Sequence, residues 1–254
     1  MTYCVGLLVR DGLVMIADSR TNAGVDNLSV YRKLHVIETP GERVLMIATA
    51  GNLSVTQTVL SLLREGFLNP DTGRTETLDD PPSTFRAAQL IGHAVRHVRQ
   101  VMAPSMEAQS INYDASLLVG GQVAGQPLSL FLVYSEGNSI ECGPDTPYLQ
   151  IGERKYGKPI LDRSLTFDSD LGEALKLGLI SFDSTIRSNL AVGLPLDLAV
   201  VRRDALRIEV QHRITSEDAY FHDLGERWSN ALSQAHKAIP TPPYAPVETQ
   251  AAAE

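Results

Sequence analysis

Residues 2–20 of the chain are TYCVGLLVRDGLVMIADSR, and this stretch decides the fold. Two apolar runs, residues 5–9 and 13–17, flank an Asp11-Gly12 pair. The runs are rich in β-branched and aliphatic side chains and a turn signal separates them, so they predict two paired, largely buried strands. We expect the rest of the chain to assemble around this hairpin.

Thr2 follows the initiator methionine directly and begins the hairpin. If Met1 is removed, as is usual before a small residue, the chain starts with a residue that carries both a hydroxyl and a free α-amine. A hydroxyl nucleophile needs a base within hydrogen-bond reach, and the α-amine supplies one within the same residue. Thr2 is therefore the candidate nucleophile, and the alternative is a terminal residue of no consequence.

The register of the hairpin decides whether Asp18 can approach Thr2. A two-residue loop at Asp11-Gly12 places Asp18 on the sheet face opposite Thr2. A three-residue loop of residues 10–12 makes the two side chains diagonal neighbours on one face, about 7 Å apart at the backbone. Gly12 suits the left-handed backbone that such a loop needs, and the catalytic interpretation demands this loop. The three-residue loop is the prediction.

Size and charge limit the class of protein. The 254 residues, 43% of them hydrophobic, suffice for a sizeable core. We predict one domain over residues 1–240 and a Pro/Ala-rich tail, residues 241–254, that is extended or disordered. The net charge of −8, with no basic cluster larger than a pair, argues against a nucleic-acid partner.

The chain carries no sign of export or of a membrane anchor. Its N-terminal apolar run is interrupted by Arg10, Asp11 and Asp18, and no stretch is long enough to cross a bilayer. The two cysteines, Cys4 and Cys142, are too few for a disulfide framework, and Cys4 is predicted to be a small core residue. The expected location is the cytoplasm.

Further elements follow from hydrophobic periodicity and turn residues. In chain order we predict a strand at 43–49, a helix at 52–65 capped by Asn52 or Ser54, an exposed loop at 66–83, a helix at 84–102, a hairpin of 115–121 with 127–134, a helix at 170–189, a hairpin of 196–201 with 207–214, and a helix at 216–238. His93 and His97 have metal-binding spacing but lie on the polar side of their helix without the glutamate of a zinc-protease motif, so a solvated face is predicted. No cofactor or metal is predicted.

Short motifs continue beyond the hairpin: ADSR at 17–20, KL at 33–34 and ATAG at 48–51. Together with the threonine and the apolar hairpin, they resemble a proteasome β subunit. Two longer stretches, ADSRTNAGVDNLS at 17–29 and FDSTIRSNLAVGLPLDL at 182–198, resemble Anbu, the bacterial "ancestral β subunit" branch, more closely. The resemblance covers roughly residues 2–240. It implies an α+β fold, a four-layer αββα sandwich, whose subunits self-assemble.

The resemblance also implies roles around the nucleophile. The base would be the Thr2 α-amine or a proton network coupled to Lys33. Asp18 would hold Lys33, and Lys33 would place positive charge beside the nascent Thr2 alkoxide. The Gly51 N–H, at a strand-to-helix corner, would bind the oxyanion, a role typically worth about 3–4 kcal/mol. From the residues alone, Asp18 and Lys33 could equally form an ordinary ion pair at a strand end. Gly51 could be needed only for close packing or a positive φ.

Two carboxylates leave alternatives open. Asp183 falls beside the apolar stripe of helix 170–189, where a buried charge needs a partner. The residues alone favour capping or a pair with Arg187, whereas the resemblance places Asp183 near the nucleophile with Ser188 as a companion. Proteasome subunits have a serine after the glycine of a later strand-to-helix corner, but here Glu153 follows Gly152. Glu153 takes over the polar role, or the network around the threonine is rebuilt, or Glu153 is a surface carboxylate near Arg154 and Lys155.

The sequence therefore predicts an N-terminal-nucleophile threonine peptidase or amidohydrolase that cleaves amide bonds with Thr2. An acyltransferase or narrow amidase with the same nucleophile is one alternative, since fold does not fix function. A non-catalytic assembly subunit is the other, and a retained Met1 would favour it. We expect a large homo-oligomer, ring or spiral, with Thr2 facing an inner cavity, because head-to-tail contacts between identical subunits generate such assemblies.

Overall fold

The computed structural model describes residues 2–22 and 28–244. Met1, residues 23–27 of the 17–29 motif, and residues 245–254 of the predicted tail lie outside the described residues. The chain divides into two compact units, residues 1–218 and residues 219–254. The single domain over residues 1–240 stays a prediction.

In the described residues, groups of consecutive strands are separated by helices. The strands are β1 (Tyr3–Val9), β2 (Gly12–Asp18), β3 (Arg20–Asn22), β4 (Leu28–Val30), β5 (Leu34–Thr39), β6 (Arg43–Gly51), β7 (Phe67–Asn69), β8 (Arg74–Glu76), β9 (Ala115–Val123), β10 (Ser129–Val133), β11 (Ser139–Glu141), β12 (Tyr148–Gly152), β13 (Leu196–Arg202) and β14 (Val210–Ile214). The helices are α1 (Leu53–Glu65), α2 (Thr84–Glu107), α3 (Lys158–Ser164), α4 (Leu171–Ser188) and, in the second unit, α5 (Ala219–Ala238). Within these ranges, every helix is too short or too polar to span a bilayer.

Two five-stranded antiparallel sheets form the centre of the first unit. Their strand orders are β12-β1-β2-β13-β14 and β11-β10-β9-β6-β5. A buried apolar layer that includes Leu13, Met15, Met46 and Leu118 fills the space between them. Helices α1 and α2 cover the outer face of the second sheet, and α4, with α3 beside it, covers the first. The predicted α+β fold, a four-layer αββα sandwich, is confirmed.

The predicted three-residue loop in the first hairpin is wrong. The β1–β2 ladder pairs Val9 with Gly12, so Arg10 and Asp11 alone form the turn. Gly12 is not left-handed; a Cβ at this position would lie 2.3 Å from the Val201 carbonyl oxygen, so the glycine lets β13 approach β2. A packing requirement from a distant strand, rather than turn geometry, explains the residue.

The observed register changes the position of Asp18. Continued by one pair, the ladder sets Asp18 opposite Tyr3, and by alternation on the face away from Thr2. The predicted arrangement of Thr2 and Asp18 as diagonal neighbours is therefore also wrong.

The other local predictions are confirmed only in part. Asn52 caps α1 as predicted, since its side chain accepts from the Ser54 and Val55 N–H groups. The predicted loop at 66–83 is wrong in part, because β7 and β8 form a short hairpin within it. Helix α2 continues past residue 102 to Glu107 despite Pro104.

Candidate active site

A cavity of about 300 Å³ opens beside Thr2 at one end of the sandwich. Its described lining consists of Thr2, Thr21, Lys33, Thr49, Ala50, Gly51, Leu53, Thr56 and Gly152. These residues come from both sheets: Thr2 precedes β1, Gly152 ends β12, and Gly51 ends β6. The fold thus brings three of the predicted site residues, Thr2, Lys33 and Gly51, to one cavity.

Lys33 and Asp18 form a buried ion pair. The Lys33 Nζ lies 2.9 Å from Asp18 Oδ1 and donates to the Arg20 carbonyl oxygen at 2.5 Å. The two side chains are 5% and 0% exposed. Burial raises the pKa of the Asp18 carboxyl, and the charge and hydrogen bond of Lys33 oppose that rise. The predicted role of Asp18 as the partner of Lys33 thus has a matching geometry.

The ion pair forms although the register is unfavourable. Asp18 stands at the end of β2, where its Oδ1 also accepts from the Tyr3 N–H at 3.0 Å. The requirement that Asp18 share a face with Thr2 is therefore wrong, because the long Lys33 side chain joins Asp18 to the cavity. Within the described residues, Asp18 Oδ2 is buried without a hydrogen-bond partner.

The main chain of Thr2 is held by the end of β12. The Glu153 N–H donates to the Thr2 carbonyl oxygen at 2.6 Å. Gly152, with φ of 80°, crosses so closely that a Cβ there would lie 1.9 Å from the same oxygen. Only glycine fits this crossing, because the position combines a left-handed backbone with contact to backbone atoms.

We expect Gly152→Ala to destabilise the fold more than Gly125→Ala does. Both glycines are left-handed, with φ of 80° and 74°, so each alanine carries about 1–2 kcal/mol of backbone cost. Nothing lies within 4 Å of a Cβ at Gly125, whereas the alanine at 152 must also displace Thr2, adding about 1–3 kcal/mol. Urea unfolding of both variants at equal protein concentration measures the difference, and equal losses would contradict the close crossing.

Gly51 lies where the strand β6 meets α1. Its φ is 106°, and a Cβ would lie 2.2 Å from the Asp114 carbonyl oxygen. Close packing and a positive φ thus already require glycine here, as the interpretation from residues alone proposed. The same residue also lines the cavity beside Thr2, so its N–H is a candidate oxyanion donor.

Asp183 and Ser188 are not part of the described cavity lining. The Asp183 carboxylate is paired with Arg187, whose Nε lies 3.0 Å and 3.2 Å from its two oxygens. This confirms the pairing that the residues alone favoured. Ser188 is exposed at the last position of α4. Their roles near the nucleophile stay predictions.

Glu153 is buried and only 8% exposed. Its Oε1 accepts from the Lys155 N–H at 3.0 Å, and its Oε2 accepts from Asn189 Nδ2 at 2.9 Å. The interpretation of Glu153 as a surface carboxylate is therefore wrong, because the side chain is buried and hydrogen-bonded. A polar role of Glu153 in the network around Thr2 stays a prediction. Asn189 could not be identified from the sequence, because nothing in the pattern links residues 36 positions apart.

The remaining candidate groups have structural roles. Cys4 is buried, its Sγ contacts the Thr49 carbonyl oxygen at 3.6 Å, and burial raises the pKa of its thiol well above the usual value. It is a core residue, as predicted. The His93 ring contacts Asp71 at 3.0 Å. Among the described residues, no three histidine, cysteine or acidic side chains come together as a metal site would require.

The chain is similar to Anbu proteins of known structure and, more distantly, to a proteasome β subunit. No model of a known protein family matches the chain. It is 46% identical to the Anbu (Gly-1) mutant from Hyphomicrobium sp. strain MC1, with a TM-score of 0.86, and the match covers 95% of this chain and 99% of that one. The Anbu complex from Pseudomonas aeruginosa, solved as a helical assembly, is also 46% identical, with a TM-score of 0.85 and coverage of 95% and 98%. Proteasome subunit beta 2 of Pyrobaculum aerophilum is 28% identical over 81% of this chain and 91% of its own length.

Proposed function

The chain belongs to the Anbu (ancestral β-subunit) family of proteasome-like N-terminal-nucleophile hydrolases, and on this basis we propose that it cleaves amide bonds with Thr2 as its nucleophile. The observation that carries the proposal is a buried lysine, Lys33, that lines the same cavity as Thr2. A buried ammonium beside a hydroxyl favours the alkoxide form. No cofactor is required for this chemistry.

The first step is attack by the Thr2 hydroxyl. After removal of Met1, the free α-amine, with an ordinary pKa of about 8, accepts the hydroxyl proton as Oγ bonds to the substrate carbonyl carbon. Lys33 stabilises the developing negative charge on Oγ, and Asp18 keeps the ammonium in place. Lys33 lines the cavity and Asp18 does not, so the ammonium is the charge that faces the developing anion. Because the ammonium is buried, this attraction is screened less than it would be in water.

The tetrahedral intermediate needs a donor for its oxyanion, and Gly51 is suitably oriented. The Thr49 N–H donates to the Lys33 carbonyl oxygen on one side of β6, and the Asn52 N–H donates to the Asp114 carbonyl oxygen on the other. Because N–H groups alternate along a strand, the Gly51 N–H points to the side of the Thr49 N–H. On that side β6 is paired with β5, but the β5–β6 ladder begins at the pair Leu34 and Ala48 and does not reach Gly51.

The intermediate then collapses to an ester on Thr2, and water hydrolyses this ester in a second step. The C–N bond breaks, the leaving amine takes the proton from the α-ammonium, and the acyl group remains on Thr2 Oγ as an ester. Water attacks this ester with the α-amine as base, which releases the acid and restores Thr2.

The cavity favours an uncharged substrate group. Apart from Lys33, which is already paired with Asp18, the described lining is uncharged and includes Thr49, Leu53 and Thr56. Its volume of about 300 Å³ suits a small or medium side chain next to the scissile amide. A peptide with such a residue is therefore the proposed substrate class.

Intact-mass measurement tests the proposal directly. We expect the purified protein to lack Met1 and to gain the mass of one peptidyl β-lactone, an acylating electrophile that reacts with an N-terminal threonine, with the adduct on Thr2. Protein made in a normal cytoplasm that retains Met1 and gains no mass would contradict the proposal and favour an assembly subunit without catalysis.

We further propose that the protein is a cytoplasmic homo-oligomer. A helical assembly is known for the Anbu complex of Pseudomonas aeruginosa, and head-to-tail contacts give such helices or closed rings. Light scattering at micromolar concentration is expected to give a mass many times the 27.6 kDa of the chain. A monomer at that concentration would contradict this prediction.

A further inference from the structure

Glu153 is a buried carboxylate that depends on neutral donors. Among the described residues, no lysine, arginine or histidine lies within ion-pair distance of it. Its oxygens accept instead from the Lys155 main chain and the Asn189 side-chain amide. A buried charge without a counterion is unfavourable unless hydrogen bonds satisfy it, so these two contacts determine its position.

Asn189 ties this carboxylate to the end of α4. It is the C-cap residue of the helix: its N–H donates to the Thr185 carbonyl oxygen at 2.8 Å, and its Oδ1 accepts from the Ala191 N–H at 3.0 Å. Helix C-termini carry partial negative charge, so a carboxylate is disfavoured here on electrostatic grounds alone. The amide of Asn189 compensates by presenting a donor.

The same carboxylate residue contacts Thr2 through its main chain. The Glu153 N–H donates to the Thr2 carbonyl oxygen, and Gly152 is packed against the same oxygen. Three fixed contacts therefore run in series from the end of α4, through Asn189 and Glu153, to Thr2. The side-chain hydrogen bonds and the main-chain contact to Thr2 are thus made by the same residue, Glu153.

We propose that Glu153 is a positioning residue: through its hydrogen bond to Asn189 it fixes the orientation of Thr2 toward Lys33. This inference rests on the proposed function of Thr2 and identifies a further residue on which that function depends. Glu153 does not contact the substrate in this proposal. It acts through the Thr2 main chain alone.

The hydrogen-bond pattern at this site allows an exchange of donor and acceptor. Glutamine at 153 has one acceptor and one donor, so its NH₂ group would face one of the two existing donors. Asn189→Asp would likewise set two carboxylates against each other. The double variant, Glu153→Gln with Asn189→Asp, restores a donor–acceptor pair with the polarity reversed and the same total charge.

We expect each single variant to lower the maximal rate of Thr2 acylation by the β-lactone about 10- to 100-fold, because small misplacements of reacting groups have effects of this size. The half-saturating concentration should change little, since the cavity lining is untouched. The double variant should be acylated faster than either single variant, because the donor–acceptor pair is restored. Full recovery is not expected, because its carboxylate then stands at the C-cap of α4, where the helix disfavours negative charge. Glu141→Gln, an exposed carboxylate on β11, is the matched control and should behave as wild type.

Hydrogen exchange of residues 2–9 provides a readout independent of activity. Both single variants should exchange faster in this segment, and the double variant should be protected again. Single variants that match wild type in rate and exchange, or a double variant no better than the singles, would overturn the inference. A wild-type protein that is never acylated would instead refute the proposed function, and the exchange data would still decide whether Glu153 positions Thr2.

Discussion

Replacing Thr2 with alanine is expected to abolish acylation by the β-lactone, with a rate lower by a factor on the order of 10⁴ or more. Thr2→Ala removes the attacking oxygen but keeps the free α-amine, the Lys33–Asp18 ion pair and the Glu153 contact, which involve other atoms. The fold should be unchanged, because the lost atoms line an open cavity rather than the core. The intact mass after incubation with the reagent measures the effect.

Two companion variants make this result specific. Thr2→Ser keeps both the hydroxyl and the amine and should retain acylation. Thr58→Ala removes a different threonine hydroxyl, one that donates to the Ser54 carbonyl oxygen on α1, and should label as wild type does. Undiminished labelling of Thr2→Ala would contradict the assignment of the nucleophile.

The acylated wild type also separates hydrolysis from acyl transfer. If water resolves the ester, the free acid accumulates at a rate that does not depend on added amines. If an added amine speeds turnover and the amide product accumulates, the acyltransferase alternative is favoured. Both outcomes keep Thr2 as the nucleophile and differ only in the acceptor.

The fold could be predicted from the sequence where local pattern and tertiary packing agree. The first hairpin is buried on both faces, so its strands appear in the sequence as nearly continuous apolar runs. Its register could not be predicted, because Gly12 is required by close packing against the Val201 backbone, almost two hundred residues later in the chain. The hairpin of β7 and β8 was missed because its strands are short and lie within a run of turn residues.

The residues around the cavity could also be predicted only in part. Thr2, Lys33 and Gly51 lie in or beside recognisable motifs, and the fold brings them to one cavity. The Glu153–Asn189 contact could not be predicted, since it depends on where α4 ends relative to β12. Thr21 of the cavity lining was missed for a similar reason: a polar side chain after a buried strand does not indicate which way it faces.

Lys33→Met is expected to lower the acylation rate by about 10²–10³-fold, the range observed when one preorganised stabilising group is removed. Methionine keeps much of the buried volume, so a cavity is not the cause. The same change leaves Asp18 buried without its ionic partner, which typically lowers the free energy of unfolding by about 3–5 kcal/mol at neutral pH. Stability must therefore be measured alongside the rate.

The pH dependence of that instability identifies Asp18 as its origin. Burial already raises the pKa of Asp18 in the folded protein above its ordinary value, and loss of the Lys33 charge raises the pKa further. Between the ordinary and the raised pKa the folded state binds more protons than the unfolded state, so stability falls as pH rises through this window. The deficit of Lys33→Met relative to wild type should thus be larger at neutral pH than at acidic pH, and it should shrink as the pH falls toward the ordinary pKa of an aspartate, about 4.

A neutral replacement of the pair separates catalysis from stability. In the double variant Asp18→Asn with Lys33→Met, the side-chain amide at position 18 still offers an oxygen to the Tyr3 N–H, and no buried charge remains. Uncharged replacements of buried ion pairs are often close to neutral in stability. We therefore expect the free energy of unfolding to return to within about 1 kcal/mol of wild type and to lose its extra pH dependence, while acylation stays as slow as in Lys33→Met. Recovery of the rate together with the stability would show that Lys33 only supports the fold, and it would remove the electrostatic basis of the proposed mechanism.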